Sequence, residues 1–116
     1  MYRLEVVRAG DPGYYKGLGE RDALPLDRGM LFLESQDVAM TFWMKGMRFP
    51  LDLIWIDQAG GIVHVERNVP HQPGVPDSQL PIYRPPRPAR AVLELNAGQA
   101  DVHGFQVGDQ ALFSYD

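Results

Sequence analysis

The chain has 116 residues, 45% of them hydrophobic, and a formal net charge of -4. That length fits one domain (residues 1–116) with room for a real core and no second domain. The acidic balance argues against a general nucleic-acid binder or a domain docked on anionic lipid. The absence of cysteine excludes disulfides, thiolate metal sites and cysteine nucleophiles.

The first segment, Arg3-Leu4-Glu5-Val6-Val7-Arg8, reads as a strand and is broken by Gly10-Asp11-Pro12-Gly13. Asp11 and Pro12 predict the start of a short helix carrying Tyr14, Tyr15, Leu18 and Arg21, ended before Pro25. Gly29–Glu34 is an apolar run of strand length, followed by a turn at Ser35-Gln36-Asp37. Residues 39–45 alternate, with Met40, Phe42 and Met44 on one face and Thr41, Trp43 and Lys45 on the other, which predicts another strand. Leu51–Asp57 is a nearly continuous apolar strand. Ala59-Gly60-Gly61 turns it into Ile62–Arg67, a hairpin in which Val63 and Val65 share a face opposite Ile62, His64 and Glu66.

Residues 69–88 hold seven of the ten prolines, so this stretch is extended irregular chain and not sheet interior. Ala89–Asn96 resumes as a strand with Ala91, Leu93 and Leu95 on one face. Ala97–His103 predicts one or two helical turns capped by Gly104, and Gln110–Tyr115 a last strand. The sum is a mainly β (α+β) domain: a compact β-barrel-like unit of about seven short strands, two short helices and a long proline-rich loop. No apolar run reaches the roughly 20 residues of a membrane helix. The opening Met1-Tyr2-Arg3-Leu4-Glu5 lacks the apolar stretch of a secretory signal. With Met1 as the natural start the expected compartment is the cytoplasm.

Several motifs occur in a distinctive order: Gly17-Leu18 with Arg21, Gly29-Met30-Leu31-Phe32, Phe42-Trp43-Met44-Lys45, Phe49-Pro50-Leu51-Asp52, the Asp57 turn, Val92-Leu93-Glu94-Leu95-Asn96-Ala97-Gly98 and Gly108-Asp109. Over roughly residues 4–113 this order resembles the family called domain of unknown function 192. The resemblance implies a compact β-barrel-like fold with short helices. It implies no established reaction, substrate or cofactor. Two places depart from the family pattern. Gly19 and Glu20 stand where a Gly-Leu-Met-Phe-Arg motif has its middle pair, and Lys45-Gly46-Met47 replaces Lys-Asn-Thr. Many related members carry an export signal or lipoprotein leader.

Candidate sites follow from residue chemistry. Trp43, Lys45 and Asp52 would put a ring, a cation and a carboxylate together beside Pro50, able to bind a polar small molecule. The bland alternative is that Asp52 pins the Phe49-Pro50-Leu51 corner and Trp43 simply packs. Glu94 and Asn96 follow Arg90 on one strand face, and Arg21 or Arg90 could pair with Glu94, as a structural ion pair that orients the helix or as part of a pocket lining. Met30, Met40, Met44 and Met47 offer Cu(I)-type thioethers but read better as core. His71 and His103 read as surface residues.

The leading expectation is a non-enzymatic domain that binds a small ligand or a protein partner around Trp43, Lys45 and Asp52, with Arg21 and Glu94 contributing and the 69–88 loop as a lid. It needs no metal or other cofactor. One rival is an acid–base or metal-assisted enzyme using His64, Glu66 or Asp52. Another is a protein-interaction module built on Tyr83-Arg84-Pro85-Pro86-Arg87-Pro88, which otherwise forms a strap anchored by Ile82 and Tyr83.

Overall fold

An apolar strand with no polar alternation must be covered on both faces. Leu51–Ile56 (β3) meets that condition, since all six of its residues are buried. The computed structural model describes residues 2–111. It places β3 inside a five-stranded mixed sheet with Arg3–Arg8 (β1), Arg28–Val38 (β2), Ile62–Val69 (β4) and Ala89–Asn96 (β5), in the order β1-β2-β5-β3-β4. β1 runs parallel to β2, and every other neighbour pair is antiparallel.

β1 and β4 stand at opposite edges, so the sheet is open and the expected barrel closure does not occur. The physical reason is cover. Each face carries its own apolar cluster, sealed by connecting segments, so the sheet has no need to curl onto itself. Leu18, Met30, Phe32, Met40, Met44, Leu53, Trp55 and Val92 belong to one cluster. Leu31, Leu33, Ile54, Ile56, Ala91, Leu93 and Leu95 belong to the other. The parallel β1–β2 pair requires a crossover, and residues 9–27 provide it with a short helix at Pro12–Lys16 (α1). A second helix at Gln99–His103 (α2) follows β5 and ends at Gly104, whose φ of 67° is left-handed, as the cap requires.

Five strands form among the described residues where seven were expected. Residues 39–45 join no ladder. Their single bridge is Phe42 to Tyr83, with Phe42 N donating to Tyr83 O at 3.0 Å and Tyr83 N to Phe42 O at 2.7 Å. The alternation there reports burial, since Met40 and Met44 are buried and Trp43 is exposed, but burial alone does not supply a neighbouring strand. The expected last strand lies mostly outside the described residues; Gln110 makes an isolated bridge with Gly61. Ser35-Gln36-Asp37 is no turn: β2 runs through it with a shifted register between Leu33 and Val38.

In the β3–β4 hairpin, Trp55 pairs with His64 and Ile56 with Ile62, which leaves Val63 as an extra residue. This irregularity sends Val63 and Val65 into opposite clusters, against the expectation that they share a face. The proline-rich 69–88 stretch is irregular apart from a 3-10 turn at Asp77–Gln79. Tyr83 anchors it by packing on the core, but Ile82 is exposed and anchors nothing. No helix among the described residues is long and apolar enough to cross a membrane.

Candidate functional site

Strand periodicity decides which polar groups can meet. On β5, Glu94 lies opposite Met30 of β2 and Leu53 of β3, so it points with the Phe32 and Trp55 cluster. Asp52 on β3 lies opposite Leu95, a member of the other cluster. The two buried carboxylates therefore stand on opposite faces of one sheet.

On the Glu94 face, α1 and the 39–47 segment arch over β2 and β5 and leave a cavity of about 380 Å³. Its walls include Tyr14, Phe32, Met40, Phe42 and Met47, with Glu94 among them. Exposed Ala39, Thr41, Trp43 and Lys45 form its mouth. Trp43 is 41% exposed, and the Lys45 ammonium lies 5.5 Å from the centre of its ring. Tyr14, Phe32 and Phe42 form a run of edge-to-face rings, with centroids 5.6 Å and 4.9 Å apart.

Glu94 is only 4% exposed. Burial alone pushes its carboxyl up to about 8, with no hydrogen bond or neighbouring charge contributing. The expected arginine partners are engaged elsewhere. Arg21 pairs with Glu5, Nη2 donating to Oε1 at 2.9 Å, and this ion pair holds Glu5 below the usual carboxylate range. Arg90 donates Nε–H to the carbonyl of Glu34 at 3.1 Å. The cavity lysines are also committed, Lys16 to Glu20 at 3.2 Å and Lys45 to Asp77 at 3.1 Å. Tyr14 donates its hydroxyl to Glu34 at 2.6 Å; burial and then that carboxylate raise its ionisation well above the ordinary tyrosine value.

The structure thus brings Trp43, Lys45 and Glu94 around one cavity and leaves Asp52 and Arg21 away from it. Asp52 accepts backbone N–H groups from Asn68 at 2.7 Å and Ala100 at 2.8 Å, tying β4 and α2 to β3. No residue of the 69–88 segment lines the cavity, so that segment is no lid over it. It braces one wall instead, through Lys45–Asp77 and Phe42–Tyr83. His64 Nε2 lies 2.9 Å from Glu66 Oε1, on the same face as Trp55 but outside the cavity lining. Among the described residues no three His, Cys, Asp or Glu side chains are grouped to hold a metal ion.

The aromatic wall of the cavity escaped the sequence reading. Tyr14, Phe32 and Phe42 are far apart in the chain, and no local pattern unites them. The available signal was Glu94 itself, a single acid inside the apolar run Ala91–Leu95.

Gly17 closes the cavity at α1. Its φ of 53° and ψ of -131° lie where side chains are strained, and a Cβ there would stand 2.9 Å from Phe32 Cζ and 3.8 Å from Glu94 Oε1. Gly17→Ala should therefore cost about 1–3 kcal/mol in a urea melt. An unchanged midpoint would show that this corner relaxes freely.

Comparison with known proteins agrees with this architecture. No curated protein matches the chain. A crystal structure of a protein of unknown function from Novosphingobium aromaticivorans is 31% identical with a TM-score of 0.80, covering 94% of this chain and 73% of that one. A Sinorhizobium meliloti structure, described as a "putative transcription regulator", is 33% identical with a TM-score of 0.78, covering 92% of this chain and 78% of that one. The family model described as "Uncharacterized ACR" matches residues 3–113, nearly the whole chain, and the chain therefore belongs to that family, domain of unknown function 192.

Proposed function

We propose that this domain binds a small organic molecule in the cavity between α1, the 39–47 segment and the sheet. The observation that carries this reading is Glu94. Its side chain is almost wholly buried, opens only onto the cavity and has no hydrogen-bond or charge partner in the protein, so a ligand that supplies a partner gains the interaction. The volume of about 380 Å³ lies in the range of small-molecule sites, and its lining combines aromatic and apolar side chains with polar groups that could orient a ligand. Trp43 at the mouth would shield the bound molecule. The function proposed is binding without turnover.

The test is a fragment screen by thermal shift on the wild type and on Ala39→Trp. Ala39 is exposed at the mouth, so a tryptophan there should plug the cavity and leave the core intact. A ligand at about 100 times its dissociation constant adds roughly 2.7 kcal/mol of stability. Wild-type hits that vanish in Ala39→Trp support the reading. An empty screen, or hits indifferent to the plug, would overturn it.

A further inference from the structure

We infer that the ligand of this cavity is an organic cation, an alkyl- or quaternary ammonium group seated against Glu94 between the rings of Tyr14, Phe32 and Phe42. The inference rests on the cavity reading above and names the chemistry that would fill it. Two independent features point to positive charge.

The first is an uncompensated acid. No cation near the site pairs with Glu94: Arg21 meets Glu5, Lys16 Glu20, Lys45 Asp77, and Arg90 the Glu34 carbonyl. The interior carboxyl is left without a counter-ion. A buried charge is tolerated when an opposite charge lies beside it, and here the protein does not supply one. An anionic group beside Glu94 would place like charges together and bind less well.

The second is the wall. Three aromatic rings in edge-to-face contact line the cavity with Glu94, and a ring face attracts a cation within about 6 Å. Rings plus one carboxylate recognise soft, poorly hydrated ammonium groups, because such cations surrender little hydration on entry. Trp43 already accepts a cation in this manner, with Lys45 5.5 Å from its ring centre. The apolar remainder of the wall, Met40 and Met47, suits the alkyl body of such a molecule.

The chemistry predicts a pH signature. A quaternary ammonium does not titrate, so any pH dependence belongs to the protein. The other titratable groups of the cavity are Tyr14, Tyr15 and Lys16 from α1, Glu34 from β2, and Lys45 from the mouth. Glu94, with its carboxyl at about 8, is the group that must lose its proton for the pair to form. Affinity should rise by up to about tenfold per pH unit toward pH 8 and then level off.

The experiment titrates tetramethylammonium, choline and benzyltrimethylammonium into the wild type, Glu94→Gln and Phe42→Leu at pH 8, by calorimetry or ligand-observed NMR. Neutral carbon isosteres such as 3,3-dimethylbutan-1-ol serve as controls. At least one cation should bind the wild type about tenfold more tightly than its isostere. Glu94→Gln should erase that preference while still binding the isostere, and Phe42→Leu should weaken the cation more than the isostere. Isosteres binding as well as cations, or cations indifferent to Glu94→Gln, would overturn the inference and leave the cavity reading standing. No binding by any cation, with neutral fragments still displaced by Ala39→Trp, would do the same. If the fragment screen is also empty, both fall.

Discussion

Glu94→Gln should stabilise the protein at alkaline pH, an unusual result for a buried polar residue. The carboxyl sits at about 8 in the folded chain, against 4.5 as its ordinary value. The folded state therefore holds this proton more tightly than the unfolded state does. Below about pH 4.5 both states are protonated, and the group leaves stability independent of pH. Between about 4.5 and 8 stability falls with rising pH, by at most about 1.4 kcal/mol per unit. Above about 8 the loss is complete and amounts to roughly 5 kcal/mol, the cost of burying an unpaired charge. Glutamine has nearly the same shape and no charge, so it removes the penalty. Urea denaturation at pH 5 should give closely similar midpoints for the two proteins. At pH 9 the variant should be more stable by several kcal/mol. A variant no more stable than wild type at pH 9 would mean that the carboxyl escapes to water or finds a partner. A bound ammonium ligand should flatten the same slope in the wild type.

Asp52→Asn should have the opposite sign. Asp52 is fully buried, yet each of its oxygens accepts a backbone N–H, one from Asn68 and one from Ala100. Asparagine keeps one acceptor and turns an NH2 group toward the other donor, so one charge-assisted bond becomes a donor–donor contact. The expected loss is about 2–4 kcal/mol, and Asp52→Ala should lose at least as much. The damage should be local first. Ala100 lies in the first turn of α2, and Asn68 holds a left-handed φ of 53° on β4. Amide exchange should therefore accelerate at both sites before the rest of the sheet. Unchanged exchange at Ala100 with an unchanged melt would refute the anchoring role. Asp52 and Glu94 thus contrast as one buried acid whose partners the backbone supplies and one whose partner the chain withholds.

The sequence carries much of the fold because much of it is local. The strand at 3–8, the strand at 89–96 and the hairpin around Ala59-Gly60-Gly61 follow from side-chain period and turn chemistry, and the structure has all three. Gly104 as a cap and the irregular proline segment follow from φ preferences that act within a few residues. The helix over 12–16 begins where Asp11 and Pro12 predict, but it stops at Lys16, short of Leu18 and Arg21. Gly17, in a conformation other residues avoid, ends it.

What the residues alone determined is five of the strands and the start of both short helices, the acidic balance and the family pattern, since each is written in neighbouring side chains. What the tertiary structure decided is which elements meet. The alternation over 39–45 identified a half-buried segment, but only the packed sheet determines whether a strand lies beside it. Trp43 and Lys45 share a cavity with Glu94 and not with Asp52 because register sets Asp52 opposite Leu95 and Glu94 opposite Leu53, on the two faces of the sheet. A one-residue offset reverses the side of every residue in a strand, and register depends on partners distant in the chain. The same long-range pairing left β1 and β4 apart, so the sheet stayed open, and it assembled the ring wall beside Glu94 from three segments with no pattern in common.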